Sequence, residues 1–165
     1  MKKLFMLCLS AVLALSLVAC GGGETATEKK TEPEPTYHRS VLDELVAKGA
    51  FSEELETLDA DTAFMLYRLE DYGLKQEDLA EAWVLRSAGA TCEEVALLAL
   101  AGQDDKMMAA AEQAMKDYIQ NQIDTNVDYR PAEIPKLEQA IVSCKGWSVL
   151  TVVANDLDAA KAVIG

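Results

Sequence analysis

The chain has 165 residues and a formal net charge of −13 at pH 7, with one histidine and four cysteines. The acidity sits in the part that reads as globular, residues 40–165, where 10 Lys and Arg face 24 Asp and Glu for a net −14. Such a surface repels the phosphates of nucleic acid and of anionic lipid headgroups, which excludes nucleic acid as a partner, and a folded part of this length makes one core, too small for a two-lobed solute-binding architecture.

In chain order, Met1-Lys2-Lys3 is a short positive opening and Leu4–Val18 is almost wholly apolar. That run is shorter than the roughly 20 residues needed to span a bilayer. It has no polar face for a core helix to turn to water, and its form is that of a secretory signal peptide. Leu17-Val18-Ala19-Cys20 then resembles the lipobox of bacterial lipoproteins. The resemblance implies that Ala19, being small, lets a peptidase cut immediately before Cys20. It also implies that the Cys20 sulfur, as the nucleophile, takes a diacylglyceryl group as a thioether. Residues 1–19 are therefore expected to be removed, and the lipid on Cys20 to hold the mature chain on the extracytoplasmic face of the membrane. Residues 20–39 follow as lipidated cysteine and linker. "GGGETATEKKTEPEPTYHR" has no apolar period and too little apolar surface to fold, and as a coil its ends would stand roughly 25 Å apart.

The folded part is expected over residues 40–165. Ser40 is placed to cap a first helix, with Asp43 and Glu44 favourable against its dipole, Val41, Leu42, Leu45 and Val46 on its apolar face, and Gly49 to end it. Asp59 or Asp61 caps a second helix, whose Ala63, Phe64, Leu66, Tyr67 and Leu69 make a broad stripe up to Gly73. Leu79–Ser87 reads as a strand with Trp83 and Leu85 on one side and Val84 on the other. Cys92–Gly102 reads as a central strand, apolar on both sides. The short link Ala88–Thr91 suits a hairpin. Asp104 caps a long helix whose Met107, Met108, Ala111, Met115, Tyr118, Ile119 and Ile123 recur at helical spacing and pack on a sheet. A short helix from Lys136 to Ala140 precedes a second hairpin, Ile141–Cys144 and Trp147–Val153, turned by Lys145-Gly146. Asn155 or Asp156 caps a last helix carrying Leu157, Ala160, Val163 and Ile164 back to the core. The order predicts an α+β fold, an antiparallel sheet of about four strands with helices packed on it.

Three stretches, Gly89-Ala90-Thr91-Cys92-Glu93-Glu94-Val95-Ala96, Tyr129-Arg130-Pro131 and Gly146-Trp147-Ser148-Val149, resemble an uncharacterised family of bacterial, mostly Gram-positive, lipoproteins (domain of unknown function 4358). The resemblance covers roughly Phe51 to Ile164. In that family the aromatic after the glycine is more often Tyr, where this chain has Trp147. Membership would imply the same membrane address and would bring no activity, cofactor or catalytic residue.

The sequence offers few residues for chemistry. The single histidine, His38, falls in the expected linker, which removes the base of a Ser–His–Asp or Cys–His arrangement from the domain, and with it the commonest zinc ligand. No glycine-rich phosphate loop follows a strand. Asp124-Thr125-Asn126-Val127-Asp128 has the first spacings of a calcium loop, but Tyr129 stands where the turn needs Gly and Pro135 where it needs Glu, so a polar helix-to-loop transition is expected. The acidic pairs Glu53-Glu54, Asp59/Asp61, Glu93-Glu94 and Asp104-Asp105 read as caps or solvated faces, since acid–base work needs a buried carboxyl. Of these, Glu93 and Glu94 stand out at a strand start. No catalytic residue, metal or cofactor is expected. The reading is an extracytoplasmic, membrane-anchored binding or interaction module with an unidentified envelope protein or ligand as partner. A structural envelope protein is the alternative, and a hydrolase a more distant one that lacks a nucleophile–base pair. Trp83, Glu93, Glu94, Tyr129 and Trp147 are the expected binding surface. Cys92 and Cys144 are the two thiols left in the domain. Bridged, they would close a loop of about 50 residues and stabilise the fold by roughly 4 kcal/mol, although no sequence rule brings them together.

Overall fold

The computed structural model describes residues 36–165. The expected signal peptide, the Ala19–Cys20 cleavage site and most of the expected linker lie outside the described residues. The elements are α1 (Ser40–Ala47), β1 (Glu56–Leu58), α2 (Ala60–Leu66), β2 (Leu79–Arg86), β3 (Glu94–Leu100), α3 (Asp105–Asn126), α4 (Ile134–Glu138), β4 (Ile141–Lys145), β5 (Ser148–Val153) and α5 (Leu157–Ile164). The strands form one antiparallel sheet in the order β1-β2-β3-β5-β4. The fold is α+β as expected, with five strands where about four were predicted.

Side-chain alternation splits the sheet into two faces, each covered by helices. Val84, Ala96, Leu98, Val149 and Val153 point to one side, where they meet Phe64, Tyr67, Ala111, Met115, Tyr118 and Leu137 from α2, α3 and α4. Val95, Leu97, Leu150 and Val152 point to the other, against Leu42 and Leu45 of α1 and Ala160 and Ile164 of α5. The central strands β3 and β5 are covered on both faces, which explains their nearly unbroken apolar runs. Three helix starts are capped by aspartate side chains that accept backbone N–H bonds: Asp59 from Thr62 at 2.7 Å, Asp104 from Lys106 at 2.7 Å, and Asp156 from Ala159 at 2.9 Å.

Several boundaries differ from those expected. The folded unit begins before Ser40. Tyr37 is buried, its N–H donates to Ser148 Oγ at 2.9 Å, its hydroxyl bonds Ser143 Oγ at 2.7 Å, and the Lys145 ammonium lies 4.7 Å from its ring centre. Ser148 is a fully buried polar residue at the start of β5 and needs such a partner. Ser40 therefore does not cap α1. The residue before it, Arg39, already has helical backbone angles and makes no side-chain cap bond. The second helix stops at Leu66 instead of reaching Gly73, because Arg68 takes a left-handed conformation (φ 52°, ψ 41°). That single residue breaks the helical ladder and starts the 3-10 turn Leu69–Tyr72, which carries Leu69 and Leu74 into the core. In the second hairpin β4 runs one residue further, to Lys145, and β5 starts one residue later, at Ser148, so that Gly146-Trp147 forms the turn, Gly146 with φ 53°. Cys92 lies in the β2–β3 loop instead of opening a strand. Asp124–Asn126 continue α3 to its last turn, where Thr125 and Asn126 donate to backbone carbonyls of Asn121 and Gln122. Among the described residues no helix is long and apolar enough to cross a membrane.

Candidate functional site

Adjacent residues of an extended chain point to opposite faces, and this separates two buried glutamates, Glu93 just before β3 and Glu94 at its start. The separation is not that of a reactive pair, because each carboxylate has its own set of partners. Glu93 accepts from the Ser52 N–H at 2.7 Å, the Ser52 hydroxyl at 2.5 Å and the Lys136 ammonium at 2.7 Å. Lys136 also reaches Glu133 at 3.2 Å, and Glu133 accepts the Cys92 N–H at 2.9 Å. Burial pulls the Lys136 ammonium down, but its bonds to Glu93 and Glu133 outweigh that and hold it above its ordinary value. Around the same loop the Thr91 hydroxyl donates to Glu53 at 2.5 Å, and the Arg130 guanidinium donates to the Thr91 carbonyl at 3.2 Å. Two of the stretches singled out in the sequence, Gly89–Ala96 and Tyr129–Pro131, thus meet at one polar node that pins the β2–β3 loop to the approach of α4.

Glu94 points into the layer between the sheet and α3. Its two oxygens accept from the Tyr67 hydroxyl at 2.9 Å and the Tyr118 hydroxyl at 2.8 Å, and Arg86 Nε stands 3.5 Å away. Burial raises the Glu94 carboxyl above the usual glutamate range, and Arg86 and the two hydroxyls offset only part of that. Burial, together with the facing Glu94, pushes both phenols well up, so they remain protonated donors. The two rings pack edge to face, with centroids 4.9 Å apart and planes at 83°.

Tyr67 and Tyr118 also line a cleft of about 420 Å³ between the α2–turn corner and α3. Arg68, Asp71 and Tyr72 complete one wall, and Asp117 and Asn121 the other. The Tyr72 hydroxyl donates across the cleft to Asp117 Oδ2 at 2.7 Å, and Gln113 donates to Asp117 Oδ1 at 2.8 Å. Arg68 and Asp71 pair with each other at 2.5 Å on the rim, both well exposed. The size and the mixed aromatic and polar lining are those of a small-ligand site. Glu94 fixes two of its tyrosines from behind, which gives the cleft a rigid back.

The expected binding surface does not hold together. Glu93 and Glu94 are 1% and 3% exposed and face inward. Trp83 is half-buried on the α1–α5 side of the sheet, donating to Glu81 at 3.1 Å under the Arg39 guanidinium, while Trp147 is half-buried on the α3 side. Tyr129, 83% exposed, stands alone after α3. Alternation of the strand that carries Trp83 and the placement of Trp147 in a turn send the indoles to opposite layers. The bridge between Cys92 and Cys144 is also absent: both thiols are free. Cys144 pairs with Val149 on β4, level with Leu98 of β3, whereas Cys92 precedes Glu94 two strands away. Six residues of ladder put them roughly 20 Å apart along the strands, against the about 7 Å that a disulfide tolerates between α-carbons.

The sequence does not point to the cleft, because Tyr67 and Tyr118 read as members of apolar helix stripes and Tyr72 belongs to no pattern. A signal was present, since a tyrosine on a core-facing stripe needs a hydroxyl partner and a glutamate leading an apolar strand needs donors. Neither a protein-family model, nor a curated protein, nor a solved structure matches the chain.

Proposed function

We propose that this protein is an extracytoplasmic lipoprotein, anchored through a diacylglyceryl group on Cys20, whose folded domain is a binding module and not an enzyme. The cleft backed by Tyr67 and Tyr118 is its ligand site. The observation that carries the reading is the way Glu94 is used. A buried carboxylate, the group an acid–base catalyst would need, has both oxygens occupied by the hydroxyls of two tyrosines that line the cleft. It therefore serves to set the shape of the site. Tyr37, the first buried residue among those described, follows Cys20 by 17 positions, so a short polar segment keeps the domain near the membrane. The likeness of Leu17–Cys20 to a lipobox, and of the three domain stretches to a lipoprotein family, supports the same address.

Two measurements test the two parts of the proposal. The mass of the mature N-terminal peptide should correspond to a chain starting at Cys20 with a lipid adduct, and Cys20→Ala should abolish both the adduct and the cleavage. A different start, or an unmodified Cys20, sinks the anchor. For the domain, a photo-crosslinking side chain at Asn121 on intact cells should give a defined adduct, identified by mass spectrometry, that the same group at Glu138 on α4 does not give. Equal labelling from both positions, or none from Asn121, removes the cleft as the site.

A further inference from the structure

We infer that the cleft between the α2–turn corner and α3 takes a primary ammonium group, with Asp117 as its counter-charge. This rests on the reading of the cleft as the ligand site and specifies what enters it. Three charged side chains line the space, Arg68, Asp71 and Asp117. Arg68 and Asp71 neutralise each other on the rim. Asp117 is different: its contacts come from two neutral donors, the Tyr72 hydroxyl and the Gln113 amide. No cationic partner reaches it among the ion pairs of the described residues, and its neighbour Lys116 is held by Glu112 at 2.5 Å. Behind the tyrosines, Glu94 already has Arg86 beside it. The cleft thus carries one uncompensated negative charge on a domain whose overall charge is strongly negative.

Ligand classes differ in what they do to that charge. An anion would be repelled by Asp117 and by the field of the whole domain. A neutral sugar donates hydroxyls to Asp117 but brings no counter-charge, so part of the penalty for taking that charge out of water remains. A cation removes the penalty, and Tyr67, Tyr72 and Tyr118 line the same space, as suits a cation that can also be held by aromatic rings. The choice between a primary and a quaternary ammonium follows from the acceptors. A carboxylate offers about four lone-pair sites, of which Asp117 uses two, and the Asn121 side chain lines the same wall. Of the two, only a primary ammonium has N–H donors to use them.

The ammonium could belong to a free polyamine or to a lysine-type side chain, and the test separates the two. The full chain, purified in detergent, is titrated with spermidine, with Nα-acetyl-lysine amide, and with choline, glucose and acetate as controls, while backbone amide NMR shifts are followed. The expected result is that at least one of the two primary amines shifts residues 67–72 and 114–121, the tighter of them naming the source, while the controls leave these residues unmoved. Asp117→Asn should weaken that binding about tenfold, the scale of one charge-assisted hydrogen bond. Asp124→Asn, which removes the same charge from the same helix outside the cleft and frees no cation, should leave it within about twofold. Arg68→Gly suits the left-handed backbone and removes the opposing cation, so it should strengthen binding, a gain that misfolding cannot imitate. Failure of both amines to move the cleft residues, choline binding as well as they do, or equal loss in Asp117→Asn and Asp124→Asn would overturn the inference. If glucose or acetate moves those residues and the amines do not, the ammonium assignment fails while the cleft stands as a site. If nothing moves them and the Asn121 crosslinker is silent, both fall.

Discussion

Glu93 and Glu94 show how much one position of strand alternation decides. Glu93 has the Lys136 ammonium at 2.7 Å and two Ser52 donors, so both its oxygens are bonded within a closed polar node. Glu94 has two phenols and a more distant guanidinium, and burial dominates its ionisation. Its proton is bound more tightly in the folded protein than in the unfolded chain, where the ordinary glutamate value of 4.5 applies. Stability from this group is therefore complete below the unfolded value and is lost as pH rises through the folded one. Glu94→Gln removes the titration and keeps a hydrogen-bonding group between the tyrosines. Compared by urea unfolding from about pH 4 to about pH 7, the wild-type protein should lose stability relative to Glu94→Gln as pH rises. A flat difference, or one of the opposite sign, would mean that Arg86 and the two hydroxyls outweigh burial and hold Glu94 ionised.

At the level of elements, what could be read in advance was whatever a local pattern encodes. The α3 stripe and its Asp104 cap, the Asp59 and Asp156 caps, and the split of Trp83 and Leu85 from Val84 all follow from side-chain spacing, and all are present. What could not be read is set by tertiary pairing. β1 is three residues, Glu56-Thr57-Leu58, with no period of its own, and it exists because Arg86, Leu85 and Val84 offer it an edge. The end of α2 depends on Arg68 entering a left-handed conformation that its side chain does not advertise. The tyrosine cleft depends on three elements distant in sequence. β5 carries a local conflict of another kind. Thr151 lies between Ala96 of β3 and Val142 of β4, is 1% exposed, and its hydroxyl has no hydrogen-bond partner. A buried hydroxyl without a partner is destabilising, and valine has the same shape. Thr151→Val should therefore raise stability by about 1 kcal/mol in urea unfolding, whereas Thr151→Ser, which loses the methyl and keeps the hydroxyl, should lower it. A loss of stability in the valine variant would show that the hydroxyl is bonded in solution.

At the scale of the whole molecule, both ends of the folded unit are fixed at one place, the β4–β5 hairpin. Lys145 on β4 lies over the Tyr37 ring at 4.7 Å and donates to the Ile164 carbonyl at 2.8 Å, so one side chain touches both Tyr37 and α5. Ser148 across the turn receives the Tyr37 N–H and bonds the Thr36 hydroxyl at 2.9 Å. If the chain is tethered to a membrane through its N-terminal side, any pull on the domain arrives first at Tyr37, which is sewn to β4 and β5, the latter paired with the central strand β3. This placement makes Tyr37 part of the fold and not of a spacer, with consequences of a definite size. Tyr37→Ala should cost about 3 kcal/mol, the scale of removing a buried aromatic. Tyr37→Phe, which keeps the ring and loses only the bond to Ser143, should cost about 1 kcal/mol. His38→Ala, one residue on and exposed, should change stability by no more than about 0.5 kcal/mol. Denaturant unfolding of the three variants gives the comparison directly. A Tyr37→Ala protein as stable as His38→Ala would mean that the folded unit starts at Ser40 after all and that the hairpin anchors nothing upstream of it.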